Sequence, residues 1–142
     1  MPDDLTGGMP MTAVPLDLAA LETELRGDPE FVLHSRYLTT VIRVVIGETQ
    51  SFHIVVRAGA VVEIDPVVTP FDSYDIVLAG TDGQWEALLT PLPPAFYQDF
   101  YPAMLHHGFR IEGDMETIMA YYPAVRRLAE IFRAVANAGV AA

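Results

Sequence analysis

The chain has 142 residues, 51% of them hydrophobic and 19% charged, which is the length of one domain with ample apolar material for a core. A net charge of −11 argues against nucleic acid, whose phosphates need a basic face, and disfavours strong electrostatic docking on anionic membranes, although Arg126, Arg127 and Arg133 leave room for a local basic stripe on one helix. The absence of cysteine excludes disulfides, thiolate metal ligands and thiol nucleophiles, and no run approaches the ~20 apolar residues of a membrane-spanning helix.

The opening Met1-Pro2-Asp3-Asp4 lacks the basic-then-apolar pattern of a secretory signal, so a cytoplasmic address is expected. Residues 1–15 read as a flexible leader, 16–136 as the folded domain and 137–142 as a tail. Leu18, Leu21 and Leu25 recur at helical spacing within Leu16–Arg26, with Glu22 and Glu24 outward and Gly27 as the stop. Asp28-Pro29-Glu30 can start a second helical turn. From Tyr37 to Val67 the period becomes two. Leu38, Thr40, Ile42, Val44 and Ile46 form one face of a strand ended by Gly47-Glu48. Phe52, Ile54 and Val56 share a face of the next, with His53 and Arg57 opposite. Ala58-Gly59 is a tight turn into a third strand, in which Ala60, Val62 and Ile64 share a face. Such short turns predict an antiparallel meander. Pro66 and Pro70 then break the pattern before a fourth strand at Ser73–Ala79.

Two alternating strands run straight into apolar-faced helices. In the first, Tyr74, Ile76 and Leu78 share a face, Thr81 and Gln84 are spaced as a capping box, and Trp85, Leu88 and Leu89 face inward. Leu92-Pro93-Pro94 introduces an aromatic segment in which Phe96, Phe100 and Met104 recur at i, i+4, i+8, with a kink expected at Pro102 and an end at Gly108. In the second, Phe109 and Ile111 share a face, Gly113 permits a turn and Asp114 caps a helix. That helix carries Met115, Ile118, Met119 and Tyr122 on one face. Pro123 interrupts it, and Val125, Leu128, Ala129, Phe132 and Val135 resume the stripe. The sum is an α+β domain, a five-stranded, mostly antiparallel curved sheet covered on one face by helices.

The order Tyr74-Asp75-Ile76-Val77-Leu78 into Trp85-Glu86-Ala87-Leu88-Leu89, followed by Phe109-Arg110-Ile111-Glu112-Gly113-Asp114 into the last helix, resembles the C-terminal half of the sterol carrier protein 2-like domain, the nonspecific lipid-transfer family. The likeness spans about residues 37–135. It implies an apolar tunnel between sheet and helices that accepts a sterol, fatty acid or acyl thioester, with no cofactor and no catalytic residue to carry over. The wall it implies comprises Trp85, Leu88, Leu89, Phe96, Phe100 and Met104, with Met115, Met119, Tyr122, Leu128 and Phe132 from the last helix. Methionine suits such a wall, being flexible and polarizable. Tyr97, Tyr101, Tyr121 and Tyr122 add hydroxyls for a polar head group. The break at Pro123 marks residues 123–136 as a swinging lid.

Other chemistry finds little support. Adjacent His106 and His107 point about 100° apart on a helix, and neither they nor His34 and His53 give a zinc-ligand spacing. Ser35, Ser51 and Ser73 lack a nucleophile-elbow context, and Gly80-Thr81-Asp82-Gly83 lacks the glycine spacing and lysine of a phosphate loop. A buried carboxylate base at Asp75 or Asp99 would make a cavity enzyme acting on a hydrophobic substrate. The other alternative to a non-enzymatic lipid carrier is an interaction module, with a homodimer or a lipid-metabolising enzyme as partner and only transient membrane contact.

Overall fold

The computed structural model describes residues 15–138, so the expected leader, apart from Pro15, and the last residues of the expected tail lie outside the described residues. The elements in chain order are α1 (Leu18–Gly27), α2 (Pro29–Ser35), β1 (Thr40–Ile46), β2 (Gln50–Arg57), β3 (Ala60–Asp65), β4 (Ile76–Gly80), α3 (Asp82–Leu89), α4 (Phe100–His107), β5 (Arg110–Gly113), α5 (Met115–Ala120) and α6 (Tyr122–Asn137). The sheet order is β3-β2-β1-β4-β5, antiparallel throughout except for the parallel β1–β4 pair. Because β3 is at the edge and β4 lies beyond β1, residues 66–75 must cross over β2 and β1.

Alternation decides which face is covered. Along β1, Thr40, Ile42, Val44 and Ile46 are buried while Val41, Arg43 and Val45 are only partly so. The buried set meets Phe52, Ile54 and Val56 of β2, Ile76 and Leu78 of β4 and Ile111 of β5 in one core with the helices. The third strand departs from the expected alternation. Val61 and Ile64 are its buried residues, while Ala60 and Val62 are exposed. A register shift opposite Val55/Val56 inserts one residue, because Val56 pairs with Val61 but Val55 with Glu63. At this edge Arg26 donates from Nε to the Val61 carbonyl at 2.9 Å and from Nη2 to the Val62 carbonyl at 3.0 Å, which blunts the strand against pairing with another chain.

The β2–β3 turn is Ala58-Gly59, with φ of 49° and 83° at its central residues. Both must be left-handed for the turn to follow the strand twist, and alanine tolerates this poorly. Replacing Ala58 by Asn is expected to stabilise the domain by about 0.5–1 kcal/mol in urea denaturation, since asparagine adopts this conformation at lower cost. Gly59 is different, because a Cβ there would lie 2.6 Å from the Arg36 Cα.

Local capping sets most helix starts. Asp17, Asp28, Asp99 and Asp114 each accept a backbone N–H at the start of α1, α2, α4 and α5, and Thr81 with Gln84 closes the capping box of α3. The single last helix expected from Asp114 onward is two, broken at Tyr121. Pro123 falls in the first turn of α6, where its missing N–H removes no intrahelical bond. It therefore leaves α6 unbroken through Asn137, and Ala124, Val125, Leu128, Ala129, Ile131 and Phe132 are all buried.

Candidate functional site

The space between the covered sheet face and α3, α4 and α6, the place of the expected tunnel, is occupied by aromatic rings. Trp85 lies at 0% exposure with its ring 5.7 Å from Phe100, 5.3 Å from Phe109 and 5.9 Å from Phe132. Phe132 bridges to the sheet through an edge contact with Phe52 at 6.3 Å. Phe100 lies against Phe109 at 5.4 Å and 17°. These tilted and stacked geometries suit ring quadrupoles, and each pair adds roughly 0.5–1.5 kcal/mol beyond the area it buries. The indole N–H donates to the Val45 carbonyl at 2.8 Å, which satisfies the one polar atom the tryptophan brings inside.

The structure thus brings Trp85, Leu88, Leu89, Phe100, Leu128 and Phe132 together in the core. Met104 and Tyr122 pack against it partly buried. Phe96, Met115 and Met119 do not join them, being 45%, 43% and 49% exposed. Phe96 fails because α4 begins at Phe100, so the i, i+4 stripe has no helix under its first member. Phe109 joins the ring cluster although it was not among the expected wall residues. Its alternation with Ile111 was the available signal. Gly80 is required beside it, since a Cβ there would lie 2.7 Å from the Phe109 ring.

Outside the rings lies a strap, residues 90–99, tied down from both sides. From α6, Arg133 donates to the strap carbonyls of Tyr97 at 3.3 Å and Gln98 at 3.2 Å, while Arg133 and Asn137 hold the end of α3 through the carbonyls of Leu88 at 2.9 Å and Leu89 at 2.6 Å. Burial lowers the Arg133 pKa from its ordinary value, yet that value is so high that the side chain stays charged. From α4, the His106 ring stacks on Phe96 at 3.7 Å and the His107 ring on Tyr97 at 4.1 Å. His107 Nε2 donates to the Ala95 carbonyl at 2.9 Å, since a carbonyl can only accept. Phe96 is held at a φ of 67°, a strained conformation for a bulky residue.

At one end of the strap, Tyr122 donates from its hydroxyl to Asp99 Oδ2 at 2.7 Å and accepts from the Tyr101 amide at 3.0 Å. Burial, reinforced by the Asp99 carboxylate, raises the phenol pKa far above its usual 10, so the group remains a neutral donor. Asp99 also caps α4. Asp75, the other carboxylate considered as a base, is exposed and accepts from the Val41 amide at 2.9 Å. Both carboxylates are therefore engaged in holding the fold.

Surface hollows of about 580, 460 and 250 Å³ are present. The first lies where β1 and β4 end, between Val45, Gly80, Asp82 and Arg110, and none of these three is lined by the expected wall residues. Among the described residues no cluster of His, Asp and Glu is placed to hold a metal, and no helix is long and apolar enough to cross a membrane.

The sequence matches no protein-family model and no curated protein. Its fold does match solved structures. The crystal structure of sterol carrier protein 2 superposes with a TM-score of 0.67 at 14% identity, over 83% of this chain and 94% of that one. The solution structure of a conserved hypothetical protein from Thermus thermophilus superposes with a TM-score of 0.65 at 13% identity, over 87% of this chain and 93% of that one. A ubiquinone synthesis protein, UbiJ-SCP2, reaches a TM-score of 0.48 at 22% identity over 79% of this chain and 90% of that one, too loose a superposition to argue from.

Proposed function

The chain folds as sterol carrier protein 2 does, and from that premise we propose that it is a non-enzymatic carrier that takes up one apolar ligand between its sheet and its helices. The observation that carries the reading is the superposition on sterol carrier protein 2, at a TM-score of 0.67 over 83% of this chain. Trp85, Phe100, Phe109 and Phe132 concentrate large rings at the place where sheet, α3, α4 and α6 meet, and these are the groups a ligand would displace. Leu88, Leu89 and Leu128 complete the wall, and Met104 and Tyr122 pack against it partly buried. Sterols, fatty acids and acyl thioesters suit such a wall, with the hydroxyl of the exposed Tyr101 meeting the polar head. Burial of ligand surface supplies roughly 25 cal/mol per Å² before ordering costs. Uptake requires the rings to part, and the strap at residues 90–99 is the wall we assign to open.

Titration with fluorescent sterol and fatty-acyl probes is expected to give saturable one-to-one binding with a Kd of about a micromolar or tighter. No saturable binding of either class would overturn the carrier reading. A second reading is favoured by the closeness of the rings: a filled interior fits an interaction module, for which Met115, Met119 and Leu105 supply exposed apolar contacts. Such a module predicts a complex or dimer by sedimentation and no lipid in native mass spectra.

A further inference from the structure

The uncovered sheet face carries a buried histidine that the ligand reading does not use. His53, on β2, is 5% exposed although it points away from the core. Its Nε2 lies 3.0 Å from Arg43 Nε on the neighbouring strand. A guanidinium can only donate, so Nε2 must hold its lone pair toward Arg43, and the ring is neutral with its proton on Nδ1. Arg43 is anchored elsewhere as well. Its Nη2 donates to the carbonyls of Thr69 at 3.0 Å and Asp72 at 3.1 Å, and its guanidinium lies 4.2 Å over the Tyr74 ring. Arg43 is thus the pin that fastens the 66–75 crossover to the open sheet face, and His53 is the acceptor that aims the pin.

We propose that protonation of His53 unfastens the 66–75 crossover, making the uncovered face of the sheet acid-responsive. A proton on Nε2 removes the acceptor and sets two cations about 3 Å apart, so Arg43 must turn away and surrender its carbonyl partners. The charged groups facing His53 are Arg43 from β1, Asp65 from β3 and Asp72 from the crossover. Burial, followed by Arg43, pushes the ring's pKa below that of a free imidazole, while Asp72 and Asp65 oppose this. The fastened form therefore prevails at neutral pH, and release belongs to acidic conditions. Asp72 has its own carboxyl held below the usual range, chiefly by the Thr69 backbone N–H, so it stays ionised while His53 titrates. Without the pin, residues 67–72 keep only short-range bonds: the Asp72 amide to the Thr69 carbonyl at 3.2 Å, the Thr69 amide to Asp72 Oδ2 at 2.8 Å and the Val67 amide to Asp65 Oδ1 at 2.9 Å. Asp75, at the end of the crossover, stays joined to β1 through the Val41 carbonyl at 2.9 Å and the Val41 amide at 2.9 Å. Nearly fully exposed Phe71 sits at the tip of the crossover.

Amide hydrogen exchange, corrected for the intrinsic effect of pH, provides the test. Between about pH 8 and about pH 4.5, protection of residues 67–72 is expected to fall about tenfold while Asp75 and the β1 and β2 amides keep theirs. His53→Gln supplies an amide oxygen that accepts from Arg43 and does not titrate, so its crossover should stay protected at both pH values. An equal acid response in His53→Gln would overturn the proposal. Should that variant fail to fold, a nitrogen-detected titration of the native protein decides the matter. The His53 ring, the Arg43 Nε signal and the crossover amides are expected to share one midpoint, and crossover amides that ignore the His53 midpoint would overturn it.

Discussion

Truncating Phe132 to alanine is expected to cost about 3–5 kcal/mol of unfolding free energy, a large share of the 5–15 kcal/mol typical of a domain. Phe132 is the ring through which α6 reaches both the sheet, at Phe52, and the Trp85 and Phe100 rings of α3 and α4. Nothing nearby can swing in to replace it, because its neighbours are themselves fully buried. The loss should lower the thermal midpoint by about 10–15 °C in calorimetry. Trp85 reports the same event optically. It is the only tryptophan and is 0% exposed, so native emission should be blue-shifted and should move red on unfolding, at the lower midpoint in the variant. An apolar void of this kind stays dry and takes up small apolar probes. Benzene-sized ligands should therefore recover part of the lost stability in Phe132→Ala, which no surface substitution would do. A cost below about 1 kcal/mol would mean that the rings do not form the closed centre of the core.

The second large effect is expected at Asp28→Ala, far from the rings. Asp28 caps α2 by accepting from the Phe31 amide at 2.7 Å, and its carboxylate takes a two-pronged hold from Arg127, Nε at 3.0 Å and Nη2 at 2.8 Å. The carboxylate side chain is only 13% exposed. Losing the cap costs about 1 kcal/mol, and leaving Arg127 without its inner partner adds about 1–3 kcal/mol. Arg127 retains Glu130 at 2.7 Å, which limits the damage. Chemical denaturation should therefore register a loss of about 2–4 kcal/mol, with Asp28→Asn, which keeps the cap oxygen, falling in between. The pair also predicts an acid dependence. The Arg127 hydrogen bond holds the Asp28 carboxyl below the ordinary 3.8. A group whose folded pKa is depressed contributes fully above its unfolded value and loses that contribution as pH falls through the folded one. The native protein should thus lose this contribution below about pH 4, and the loss should be absent from Asp28→Asn. Parallel acid profiles for the two proteins would show that the pair carries no such linkage.

How far the residues declared the fold is clearest where the determining chemistry is local. The Thr81–Gln84 capping box and the Asp28 and Asp114 caps are bonds spanning three residues, complete within the segment that encodes them. The alternation of β1 and β2 is equally self-contained, because a half-buried strand must alternate whatever it pairs with. Where a partner strand intervenes, legibility ends. Ala60, Val62 and Ile64 alternate in sequence, yet the inserted residue opposite Val55/Val56 turns Val61 inward instead. Phe96 shares the spacing of Phe100 and Met104 but precedes the first turn of their helix.

By itself, then, the sequence determined the α+β class, the helix starts at Asp28, Thr81 and Asp114, the inward set of β1 and β2, and the inward placement of Trp85, Leu88 and Leu89. All of these follow from hydrogen bonds and periodicities within a few residues. Only the tertiary structure decided that the rings close on one another, that Arg133 and the paired histidines of α4 tie down the strap, and that Arg43 and His53 fasten the crossover. Each of these joins groups brought together by folding, with Arg127 and Asp28 separated by 99 positions and Arg43 and Asp72 by 29. A side chain's residue type declares what it can bond, but at such distances only the packing of the sheet against its helices, and of the crossover against the sheet, selects which partner it meets.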